Sequence, residues 1–318
     1  MASYSLEPVA TDENFEEEDY LRANADVAEA VRKGQVSSGR THFDACGRKE
    51  GRRLLARTDA VPAVIAEAKR RKLERIRPLL RSDMPCVETP VFHDFLSAEL
   101  RAQFDIVDTD AVSSNGYDGH AMGFIERYPD GFILDCGAGR RPEYYDNVVN
   151  FEIAAYATTD VRGVGERLPF VDGAFDAVIS SAVLEHVKDP FACAREIARV
   201  LKPGGRLMCC VPFLQPLHGY PHHYYNMTHQ GLRNLFADLL TIDGIEVNQA
   251  ILPIWSLGWI LRSWAAGLEG RTRADFLQMR VADLMDHPAK YLSMPFVQDL
   301  SQEKNLELAS ATILLAHK

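Results

Sequence analysis

Between residues 132 and 211 short apolar runs alternate with a helical pattern. Phe132–Cys136 (FILDC), Val148–Glu152 (VVNFE) and Phe175–Ser180 (FDAVIS) each read as a strand. A helix is expected from about Asp189 to Leu201, after which KPGG at Lys202–Gly205 should turn the chain into a strand at Arg206–Val211 (RLMCCV). Strands that alternate with helices imply a parallel sheet with right-handed crossovers. The fold class expected is therefore α/β, a doubly wound, mostly parallel sheet. Leu306–Ala316 (LELASATILLA) reads as its closing strand.

Outside this core the pattern is helical. Val61, Val64, Ile65, Ala68, Ile76 and Leu80 recur at helical spacing, with Lys69, Arg70, Arg71, Lys72 and Arg75 between them. That is a basic amphipathic helix, whose charged positions are expected on a solvated face. Ile251–Leu268 (ILPIWSLGWILRSWAAGL) is the longest apolar stretch, but it is short for a membrane span and carries Pro253 and Arg262. A buried helix is expected there and no transmembrane segment. Its tryptophans, Trp255, Trp259 and Trp264, also suit a membrane interface, the face of a homo-oligomer or the wall of a substrate pocket. The reading divides the chain into an acidic segment and small helical module (1–58), a helical linker (59–114) and a main domain (115–318) with a helical insertion around 255–300.

Charge and cysteines narrow the classes. The net charge of −10 argues against non-specific nucleic-acid binding, although Arg48–Arg81 holds twelve basic against four acidic residues. Six cysteines form no CxxC pair, which excludes a zinc ribbon or redox motif. The N-terminus lacks the basic and apolar regions of a signal peptide, so a cytoplasmic location is expected.

The candidate chemistry lies at strand ends, where doubly wound sheets bind ligands. After the first strand comes Asp135-Cys136-Gly137-Ala138-Gly139-Arg140-Arg141-Pro142. Gly137 and Gly139 allow a sharp turn and a close backbone approach. Pro142 at the third glycine position argues against a dinucleotide, and no GK[ST] follows to make a P-loop. Glu152, ending the next strand, is placed to accept hydrogen bonds from ribose hydroxyls. His218, His222 and His223 crowd the segment His218–Thr228 just past the last strand, and His186 follows FDAVIS. No acid or cysteine at ligand spacing accompanies the three histidines, so no metal is expected and they are read as a pocket lining or base.

With GERLPF (Gly165–Phe170), FDAVISSAVLEHV (Phe175–Val187) and REIARVLKPGGRL (Arg195–Leu207) in this order, residues 115–245 resemble the class I S-adenosylmethionine-dependent methyltransferases. The resemblance implies a seven-stranded Rossmann-like sheet and S-adenosyl-L-methionine as cofactor. It places Asp135, Cys136, Gly137, Ala138 and Gly139 around the amino-acid part and sugar, and Glu152 on the ribose. Val164 stands where an acid usually contacts the adenine, so Gly165 and Glu166 would substitute. Ser180 and Ser181 fall beside the methionine part, and Tyr117 covers the site. His222, His218 and His186 are the candidate catalytic bases.

Asp19–Arg52 resembles a helical module, DYLxxNPDVAxAV…SGxxHFxxxGxxEGR, attached to bacterial enzymes of glycan and surface-polymer metabolism, with Ala25 replacing its usual proline. The function expected is methyl transfer to a small-molecule or glycan-linked acceptor, with O-methylation of a sugar favoured. Methylation of a lipid or a natural-product hydroxyl or amine is the alternative. A non-catalytic cofactor-binding scaffold is the reading outside enzymology.

Overall fold

The computed structural model describes residues 2–55, 63–108, 116–219 and 221–312. Its strands are β1 (Ser3–Ser5), β2 (Val87–Glu88), β3 (His93–Asp94), β4 (Ile133–Cys136), β5 (Glu143–Tyr145), β6 (Val148–Glu152), β7 (Val161–Arg162), β8 (Phe175–Ser181) and β9 (Leu201–Cys210). Seven of them form one sheet in the order β2-β3-β7-β6-β4-β8-β9. All its pairings are parallel except β2 with β3, as the alternating pattern predicts.

Period two decides which face each strand residue serves. Ile133, Val148, Ala177 and Ile179 pack on one side with Ala121 and Ile125 of the helix Gly119–Arg127. Leu134, Val149, Phe151 and Val178 pack on the other, with Ala194 and Ile197 of the helix Pro190–Val200 and with Leu235 and Phe236. Both helices start on an aspartate cap: Asp118 accepts from the Ala121 amide at 3.0 Å, and Asp189 from that of Ala192 at 2.9 Å. From β4 the chain steps outward through β6 and β7, then returns to the other side for β8 and β9. The switch point thus lies at the carboxyl ends of β4 and β8, where a ligand crevice is expected.

The basic helix departs from expectation. It runs Ala63–Ile76 and buries Ile65, Ala68 and Ile76, but Lys69 and Lys72 are only 1% exposed. Each ammonium is drawn inward by backbone carbonyls and by one buried acid. Lys69 donates to the Ala157 carbonyl at 2.8 Å, and Lys72 to the Val148 carbonyl at 2.6 Å and to Asp160 at 2.9 Å. Burial lowers the Lys69 pKa to about 8, with Asp160 opposing the shift. Arg70 and Arg71 do face solvent and pair with Glu67. Val61 and the side chain of Val64 lie outside the described residues.

Four further expectations need correction. KPGG is not a separate turn: β9 starts at Leu201, and the extra residues bulge out of its ladder between the Phe175–Leu201 and Ala177–Arg206 pairs. The tryptophan helix (Pro253–Ala266) is not buried, since Trp255 is 59% and Ile254 65% exposed, while its far end packs Ala265 and Trp264 on Phe276 and Phe296. Leu306 and Glu307 do not open a strand. They end a helix, Gln302–Glu307, whose Ser301 cap accepts from the Lys304 amide at 3.0 Å. Leu308–Thr312 carries no strand, and 313–316 lies outside the described residues. Finally, Ser3–Ser5, expected within the N-terminal module, pairs as β1 with β5.

The rest of the N-terminal module has its own core of Ala10, Tyr20, Val27, Phe43 and Leu54. A bridge between Val9 and Arg53 brings its two ends together. Replacing residues 10–53 by a short glycine-serine linker should therefore leave a cooperatively folded protein that still binds S-adenosylhomocysteine. Circular dichroism and calorimetry would check this; a chain that precipitates or loses the ligand makes the module part of the core.

Candidate functional site

Beyond the carboxyl ends of β4, β6, β8 and β9 opens a cleft of about 2060 Å³. That is roughly twice the upper end of the range for a single small-molecule pocket, about 300–1,000 Å³. Of the residues expected at the site, Tyr117, Cys136, Gly137, Ala138, Gly139, Glu152, Val164, Gly165, Glu166, Ser181, His186, His218 and His222 all line it. Asp135 and Ser180 lie beneath its wall, fully buried.

The loop after β4 is shaped by two glycines in the left-handed region, Gly137 at φ 82° and Gly139 at φ 61°. A Cβ on Gly137 would stand 2.5 Å from Val183, so neither the backbone angle nor the packing tolerates a side chain there. Glu152 ends β6 and is held by three backbone amides. Gly139 donates to it at 2.7 Å, Ile153 at 2.8 Å and Ala154 at 3.3 Å. Burial raises its pKa against the pull of those N–H groups. The carboxylate is thereby fixed at the wall with acceptor capacity left for a ligand diol. Ile153, Val164, Val183 and Val187 give the cleft apolar lining. These features fit the S-adenosyl cofactor: a glycine turn, a rigid carboxylate and apolar surface for a base.

Asp135 is already engaged. Its carboxylate accepts from the Tyr117 hydroxyl at 2.6 Å and from Arg141 Nε at 2.7 Å and Nη2 at 3.0 Å. Arg141 also lies 4.3 Å from the centre of the Tyr117 ring. Tyr117 covers this pair, and burial drives its pKa well up. Arg141 is only 5% exposed and lines the cleft through that small surface. It was not among the expected residues, although its position in the GxGRR run was a signal. The Glu166 carboxylate accepts from the amides of Lys188 and Asp189 at 3.0 and 3.3 Å, which ties the turn Gly165–Arg167 to the start of the helix after β8.

At the other end of the cleft, Ala182 adopts φ 57° directly after β8, a strained turn for a non-glycine residue. It leads through Val183 to Glu185 and His186. The Glu185 carbonyl accepts from the Tyr224 amide at 2.7 Å, and His186 Nδ1 donates to the His222 carbonyl, so the histidine segment is pinned to this loop. His218 Nδ1 donates to the Pro216 carbonyl at 2.9 Å, and its ring lies 5.1 Å from that of His186. His222 Nε2 donates outward to the Asp105 carbonyl at 2.8 Å. His223 accepts from the His218 amide at 3.1 Å and donates to Asn226 at 3.0 Å, a structural role. Tyr220 lies outside the described residues. Burial lowers the His186 pKa to about 4 and raises that of Glu185 to about 7. Glu185 is fully buried, and neither carboxylate oxygen has a hydrogen-bond partner among the described residues. Sequence reading missed it, although a glutamate inside the apolar run AVLEHV was the signal.

Residues 135–209 match the family model described as Methyltransferase domain. That domain runs from β4 to the end of β9 and holds both glycines, Glu152, Glu185 and His186. A demethylmenaquinone methyltransferase of Mycolicibacterium vanbaalenii is 52% identical over 61 residues, which are 18% of this chain and 27% of that protein. An uncharacterized methyltransferase of a Mycobacterium species is 41% identical over 70 residues, 22% of this chain and 27% of that protein. The chain thus spans about a quarter of the length of these curated relatives. Among solved structures, the YcgJ protein from Bacillus subtilis aligns with a TM-score of 0.32 at 17% identity, over 50% of this chain and 88% of that one. No helix among the described residues is long and apolar enough to cross a membrane.

Proposed function

We propose that this protein is an S-adenosylmethionine-dependent methyltransferase acting on a small-molecule or glycan-linked acceptor, with a sugar hydroxyl as the methylated group. The observation that carries this reading is a coincidence of position. The match to a methyltransferase domain covers the same β4–β6–β8 ends whose loops build the cleft. Bound there, the cofactor supplies a methyl group already activated on a sulfonium. The chain itself has to hold the two reactants in line and exclude water.

Glu152 holds the ribose diol, and the Gly137–Gly139 turn gives the amino-acid part a close approach to backbone. Ile153, Val164 and Val187 flank the adenine, for which Val164 offers no acid. The segment His218–Thr228 faces the acceptor. His186 and His218 each commit Nδ1–H to a carbonyl, which fixes the tautomer and orientation of both rings on the acceptor side. Cofactor and acceptor together account for a cleft larger than one ligand needs.

The sugar acceptor rests on the likeness of Asp19–Arg52 to modules attached to glycan enzymes. Methyl transfer from tritiated cofactor to a panel of sugars, phenols, lipids and amines tests it. Label on a sugar oxygen is expected; label only on a lipid or an amine would replace this acceptor class. On the cofactor side, Glu152→Ala should weaken S-adenosylhomocysteine binding by about 1–3 kcal/mol, because a charge-assisted acceptor is lost. Unchanged affinity by calorimetry would remove Glu152 from the site.

A further inference from the structure

We propose that Glu185, His186 Nε2 and His218 Nε2 form a binding site for a divalent transition-metal ion on the acceptor side of the cleft. Three observations carry it. First, one potential ligand atom from each of the three residues lies within 4.8 Å of the other two, with His186 Nε2 3.7 Å from Glu185 Oε1. A tetrahedral ion with ligand bonds of about 2.0–2.2 Å separates its donors by roughly 3.3 Å, so small side-chain rotations close the set.

Second, both imidazoles are held in the tautomer a metal requires. His186 Nδ1 donates to the His222 carbonyl and His218 Nδ1 to that of Pro216, so each lone pair is on Nε2. Carbonyl partners of this kind fix ring orientation around metal ions. Third, Glu185 is a fully buried carboxylate with both oxygens unsatisfied among the described residues. Burying such a group without a partner is costly, and a cation at this corner removes the cost.

Two histidines and one carboxylate suit zinc, manganese, iron or cobalt better than magnesium or calcium, which prefer oxygen ligands alone. Open positions on the ion would take oxygen atoms of an acceptor and make its hydroxyl easier to deprotonate. That use rests on the methyltransferase reading, whereas the ion site itself does not. The histidine spacing alone gave no such set, because the acid comes from the loop after β8.

The test uses untagged full-length protein stripped with a chelator and titrated with Co²⁺ alone, followed by visible absorption and calorimetry. One ion per chain is expected, with d–d bands of nitrogen–oxygen coordination. Glu185→Gln and His218→Ala should each weaken uptake by about tenfold or more. His229→Asn, at the exposed start of the helix that follows, should not. Glu185→Gln keeps the size of the side chain, and circular dichroism verifies its fold. No saturable uptake, or uptake unaltered in both ligand variants, would overturn the site. S-adenosylhomocysteine titrated into the same samples separates the two readings. Cobalt uptake without that binding supports the ion site and refutes the methyltransferase, and the converse result does the opposite.

Discussion

Asp160→Ala should destabilise the protein by about 3–5 kcal/mol, the usual cost of stranding a buried charge. Asp160 is completely buried between β6 and β7. It accepts from Lys72 at 2.9 Å, the Asn150 amide at 2.9 Å and the Tyr144 hydroxyl at 2.5 Å, with Lys69 at 3.9 Å. Without it, two buried ammonium groups keep only backbone carbonyls and the face of Tyr144, 3.5 Å from Lys72. Lys72→Met should cost less, since Lys69 remains near the carboxylate. Adding Lys72→Met to Asp160→Ala should recover part of the loss by removing one stranded charge. Urea unfolding measures all three. A loss below about 1 kcal/mol for Asp160→Ala would mean that the pair contributes little.

The second large effect concerns turnover. His218→Ala or His186→Asn should slow methyl transfer by roughly 10²–10⁴-fold while leaving S-adenosylhomocysteine affinity unchanged. His186 Nε2 lies 3.7 Å from Glu185, and the His218 ring packs 5.1 Å from that of His186. His222→Asn should cost less, because its Nε2 is spent on the Asp105 carbonyl at the rim. Single-turnover rates with a saturating acceptor separate the three. If every variant reacts like the parent, the histidines are structural and alignment alone drives the transfer.

Strands β4, β6 and β8 were legible because they are short, apolar and buried, whereas the two-residue strands β2, β3 and β7 carry no pattern of their own. Leu134 and Val178 could be placed from pattern alone, and so could the ligand end of β4 from Gly137 and Gly139. The long-range pairing of charges was not legible. Lys69 and Lys72 follow the same spacing as any solvated helix face, and only the fold shows Asp160 waiting opposite them. The same holds at the site. Glu152 was found because it ends a strand, a local feature. Glu185 meets His218 only when the segment after β9 folds back against the loop after β8. The tryptophan helix shows the opposite failure. Its apolarity suggests burial, yet Ile254 and Trp255 remain open to solvent, and Trp255 lines the cleft.

The central claim is that the β4–β6–β8 cleft binds an S-adenosyl cofactor. Isothermal titration of full-length protein with S-adenosylhomocysteine tests it most directly. Saturable binding of one ligand per chain, weakened in Glu152→Ala, is the predicted result; absence of heat and of any competing displacement up to millimolar ligand would contradict it.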